Sequence, residues 1–177
     1  MSIQPIDVNT LPALTGTEKQ IAYANDLRNL CLYYINGMFA QETKTGWIVN
    51  SRYYELAVNT VRQMTNEGTY GKEASIALNA LADRIHAYAQ QLDAQIAAGE
   101  AENRGRSAKL RLYRYSESCP VYMDLAKKVL AHETSARFWI DRFARWTRPE
   151  DLEYCYGKID SWKEAEEREL AKRAANA

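Results

Sequence analysis

From Lys72 to Ala98 the chain runs without a glycine or a proline, and Leu78, Leu81, Ile85, Tyr88, Leu92 and Ile96 recur three or four residues apart. That spacing lines one face of a helix with apolar side chains, and Gly99 is the residue type best suited to end it. Glycine and proline are scarce throughout, 8 and 4 in 177 residues, so turns are few and helix must pack on helix. The alternation lasts about two heptads, too short for a free coiled coil, so the chain must bury this face against its own helices.

Other segments follow the same period. In "LTGTEKQIAYANDLR" (14–28), Thr15 with Glu18, or Thr17 with Gln20, fits a reciprocal capping box, and Gly16 supplies the entering turn. Ile21, Ala24, Leu27, Cys31, Tyr34, Ile35 and Met38 continue that helix. "QETKTGWIVNS" (41–51) breaks the pattern, after which Asn50 or Ser51 can cap a second helix carrying Tyr54, Ala57, Val58, Val61 and Met64. Leu110 and Leu112 alternate as in a short strand, though one without a partner. Pro120 suits a first helical position, and Met123, Leu125, Ala126, Val129 and Leu130 follow it. Ser135 can restart a helix bearing Phe138, Trp139, Phe143 and Trp146. Thr147 with Glu150 signals a last one bearing Leu152, Cys155 or Tyr156, Ile159 and Trp162. The expected fold class is all-α, a single-domain irregular bundle of about five or six helices. An extended N-terminal arm (1–13) precedes a helical domain (14–165), and a charged, fraying helical tail (166–177) follows it.

Several chemistries lack their residues. His86 shares a helical face with Asp83 and Gln90, but zinc needs three or four firm ligands and glutamine is a poor one. His132–Glu133 has no second histidine, so no metal and no cofactor is expected. No serine lies in a Gly-x-Ser-x-Gly turn, and there is no phosphate-binding glycine loop. Cys31 and Cys155 fall on apolar faces, where cysteine usually packs inertly. Glu164, Glu166, Glu167 and Glu169 lie on a segment with too little apolar cover to form a cleft. The expectation is a non-enzymatic protein with no catalytic residues. The three cysteines, the start "MSIQPIDVNT" and the lack of a long apolar run point to a reducing cytoplasm and no membrane.

Charge is unevenly spread although the formal total is zero. Residues 104–148 carry 11 basic and 4 acidic groups, between acidic flanks. Arg104, Arg106, Lys109, Arg111 and Arg114 interleave with Tyr113 and Tyr115, and Arg142, Arg145 and Arg148 surround Trp146. Guanidinium groups suit phosphates, rings suit unstacked bases, and the same residue types dominate protein interfaces. The expected binding set is Arg104, Arg106, Lys109, Arg111, Tyr113, Arg114, Arg142, Arg145, Trp146 and Arg148. Its partner is nucleic acid, slightly favoured, or a host nucleic-acid-handling protein that the chain would inhibit. A homo-oligomer stays open, as does a catalytic site assembled only in three dimensions.

Two segments carry a resemblance. Gly16, Lys19, Gln20, Ile21 and Ala24 match the Gly-Ser/Thr-x-Lys-Gln-Ile-x-x-Ala opening of small uncharacterised bacterial and phage or mobile-element proteins. Ala136, Phe138, Trp139, Ile140 and Asp141 resemble the Ala-x-Phe-Trp-Ile-Asp segment found later in such chains, with Arg137 where lysine is expected. The resemblance implies a phage or mobile-element setting and no transferable activity. It also suggests that the two segments pack together, with Ala24 leaving room for Trp139 and with Lys19 or Gln20 meeting Asp141.

Overall fold

The computed structural model describes residues 4–43 and 46–145, together with Arg168, Ala171, Lys172, Ala174 and Ala175. Among the described residues up to 145, five α-helices and one β-hairpin follow in order: α1 (Glu18–Gly37), β1 (Phe39–Thr43), β2 (Gly46–Val49), α2 (Ser51–Met64), α3 (Gly68–Ala97), α4 (Arg106–His132) and α5 (Ala136–Phe143). The fold is all-α in character. The break in periodicity at 41–51 overlaps the two-stranded hairpin, which pairs Gln41 with Ile48 and Thr43 with Gly46. The Asn50 amide donates to the Met38 carbonyl and closes its open end.

The chain divides into two compact units, Met1–Ala13 with Cys31–Thr134, and Leu14–Leu30 with Ser135–Ala177. In the smaller unit, Thr17 and Gln20 form the capping box. The Gln20 amide donates to Thr17 Oγ1 at 3.3 Å, and the Thr17 amide donates to Gln20 Oε1 at 3.0 Å. The two resembling segments meet where the Ala136 amide donates to the Thr15 carbonyl, at 2.9 Å, in a single bridge between Thr15 and Ser135. Gly16 adopts φ +151°, and a Cβ there would lie 3.1 Å from that of Ala136. Ala24, Leu27 and Trp139 have no exposed surface, whereas Phe138 is only half-buried. The expected ion pair differs: Asp141 accepts from Arg137 one turn away, at 3.3 Å, and Gln20 is occupied by its cap.

The larger unit is organised by α2, α3 and α4. Along α3 from Glu73 through Arg84 and Tyr88 to Asp93, the α4 partners fall from Lys128 through Glu117 and Tyr113 to Arg106. The two helices therefore form an antiparallel hairpin in steady register. Tyr54, at the start of α2, packs on Tyr115 with ring centroids 4.6 Å apart, and α2 runs from there toward the α3 start. Tyr54, Ala57, Val58, Val61 and Met64 of α2 are buried, as are Tyr122, Met123, Leu125, Ala126, Val129 and Leu130 of α4. The buried hydroxyls of Thr60 and Thr65 donate to the carbonyls four residues back, so neither is left unpaired. At the N-terminal end, Asn36 holds Ile6 by both its amide and its carbonyl, each at 2.8 Å.

Two expectations for 106–132 are corrected. No strand forms at Leu110 and Leu112, and no helix begins at Pro120, because α4 runs unbroken through both. An internal proline costs a helix about 3 kcal/mol. Here Glu117 and Tyr113 anchor the segment before it, and the buried stripe from Tyr122 anchors the segment after it. α3 likewise begins at Gly68, before the expected Lys72. It ends as expected, with Gly99 at φ +74°. The expected helix from Thr147, with Leu152, Cys155, Tyr156, Ile159 and Trp162, lies outside the described residues.

Candidate partner-binding surface

α2 begins level with Tyr115, so the α3–α4 hairpin continues past it. Within 87–114 Leu92 alone is buried among the described residues. This hairpin tip carries six of the ten residues of the expected binding set. Arg104 lies on the one-turn 3-10 helix Asn103–Gly105, and Arg106, Lys109, Arg111, Tyr113 and Arg114 lie on the first turns of α4.

These residues do not act alike. Arg106 forks onto Asp93, with Nε and Nη2 donating to the two carboxylate oxygens at 2.5 and 2.8 Å. That hydrogen bonding holds the Asp93 carboxyl below its ordinary range and raises the guanidinium. Tyr113 stacks on Tyr88 with centroids 3.9 Å apart and planes 9° from parallel. Arg106 and Tyr113 are thus bound within the hairpin. Arg104, Lys109, Arg111 and Arg114 are exposed, and none joins an ion pair among the described residues.

At 3.6 residues per turn these cations surround α4 on more than one side. Arg106, Tyr113 and Glu117 mark the side toward α3. Arg111 and Arg114 lie on one flank and Lys109 on the other. Ala108 and Leu112 lie on the side away from α3, and Leu112 is 65% exposed. Glu100 and Glu102 stand exposed in the turn and offset part of the local positive charge.

Arg142 and Arg145 belong to the smaller unit. The Arg142 guanidinium sits 4.4 Å from the centroid of the Phe138 ring, while Arg145 is exposed. Trp146 and Arg148 lie outside the described residues. His86, Asp83 and Gln90 are all exposed on α3, and no cluster of three or more metal-ligating side chains occurs among the described residues.

Sequence reasoning missed Leu112 as an exposed residue and missed Tyr88 and Asp93 as partners. The signal for the pairs was available: folding the chain back at the Gly99–Gly105 turn sets Asp93 against Arg106 and Tyr88 against Tyr113. No helix of the described residues is long and apolar enough to cross a membrane. No protein-family model matches this chain, and no curated protein or solved structure matches it either.

Proposed function

We propose that this is a non-enzymatic phage or mobile-element accessory protein that binds nucleic acid through the basic turns of α4. The observation that carries the reading is the exposed group of Arg104, Lys109, Arg111 and Arg114, which the hairpin leaves without carboxylate partners among the described residues. Such groups can neutralise phosphates, and the counterions released supply affinity. The mobile-element setting rests on the resemblance of 15–28 and 135–143. The two described thiols are not set up as nucleophiles. Burial raises Cys31 and pushes Cys119 up to about 12, the reverse of an activated nucleophile.

The test is binding of a labelled oligonucleotide across a salt series. Affinity should fall steeply with salt, and replacing Arg104 and Arg111 with alanine should lower both affinity and slope. Salt-independent binding, or none, would refute it. One observation favours a protein target instead: Leu112 is exposed between Lys109 and Arg111, a mixture suited to a protein interface. A pull-down retaining one protein after nuclease treatment would favour that reading, in which the chain inhibits a nucleic-acid-handling protein.

A further inference from the structure

We infer that the first turns of α4 seat in the major groove of B-form duplex DNA. This rests on the nucleic-acid reading above and narrows it to one class of ligand. The first support is an uncovered stripe. Below Tyr115 the α4 face turned from α3 is apolar and covered, with Cys119, Tyr122, Met123 and Ala126 buried. Above Tyr115 the same stripe continues through Leu112, Arg111 and Ala108 into solvent, with Arg104 in the one-turn helix just before it. Where it is covered it is apolar, and where it is bare it sets the exposed Leu112 and small Ala108 among cations that suit a polyanion.

The second support is how the cations are spread. Taking the α3-facing side of α4 as origin, Arg114 lies roughly 80° to one side and Lys109 roughly 60° to the other, with Arg111 farther out. A helix with its side chains is about 10–12 Å across, and the B-form major groove is about 12 Å wide. Flanking cations on such a helix reach the phosphate rails on both sides, while Ala108 and Leu112 face the groove floor. A-form RNA has a major groove too narrow to admit the helix.

The third support is what the tip lacks. Binding unstacked strands uses free aromatic platforms. Tyr113 is stacked on Tyr88, and Tyr115 packs on Tyr54, so each α4 ring in this segment is already engaged by another tyrosine. Glu100 and Glu102 in the turn oppose phosphate, which places the docking centre on the helix and not on the loop.

The test compares the full chain binding a 24-base-pair duplex DNA, the matching single strand and the matching duplex RNA, at several salt concentrations (the length is about two helical turns, at roughly 10 base pairs each). Duplex DNA should bind at least tenfold tighter than the other two. With four phosphates contacted, the logarithmic salt slope should be about −3.6. K109A and R114A should each reduce that slope by about 0.9, although they sit on opposite flanks. E102Q should tighten binding, and R62A on α2 should leave it unchanged. Guanine N7, which lines the major groove, should be protected from methylation. Equal or tighter binding to single strands or duplex RNA, or absent N7 protection, overturns groove docking while leaving the nucleic-acid reading intact. Failure to bind all three overturns both. Circular dichroism matching the parent chain qualifies each variant.

Discussion

At the scale of single residues, the junction of the two resembling segments depends on size at Gly16 and on bulk at Trp139. Trp139 has no exposed surface and stacks near Phe143, with centroids 6.0 Å apart. Trp139→Ala should therefore lower unfolding free energy by about 3–5 kcal/mol, measured by denaturant titration. Gly16→Ala should destabilise by about 1–3 kcal/mol, because φ is positive and the added carbon crowds Ala136 and Gln20. An unchanged midpoint in either variant would contradict this packing. Gly37 is tighter still, since a Cβ there would enter the Tyr53 ring. The sequence made the Thr17–Gln20 cap legible because a cap is a local pattern. It did not reveal the Arg137–Asp141 pair, because several cations lie within reach of that carboxylate along the chain.

At the scale of elements, helices with an apolar stripe were legible and the tip of α3–α4 was not. Its α4 stripe toward α3 includes Arg106, Leu110, Tyr113 and Glu117, which has helical period but mixed polarity. Counting apolar residues alone picks out Leu110 and Leu112 and suggests a strand. Pairing across the hairpin, which no local window contains, decides the matter. The Asp93–Arg106 fork gives a pH dependence with a definite sign. The folded carboxyl is held below its unfolded value, so its contribution is present above the unfolded pKa of about 4 and is lost as pH falls through the folded value. Thermal melts followed by circular dichroism should show parent and Asp93→Asn proteins converging as pH drops from 5 to 2. A difference that grows on acidification would reverse the assignment. The stack beside it should couple Tyr88 and Tyr113 by about 0.5–1.5 kcal/mol in a double-mutant cycle with leucine.

At the scale of the whole molecule, Cys31 on α1 and Cys119 on α4 report on opening of the larger unit, since both are buried. In a Cys155→Ala background at pH 8, a charged thiol reagent should label native protein at least about a thousandfold more slowly than unfolded chain. Rapid native labelling would mean that this core opens locally. The steady α3–α4 register has a consequence for descent. Matched insertions of seven residues, one before the turn and one after it, would preserve the helical phase of each strand of the hairpin. Reach beyond α2 could then lengthen or shorten in a lineage as a quantity separate from the buried layer beneath it.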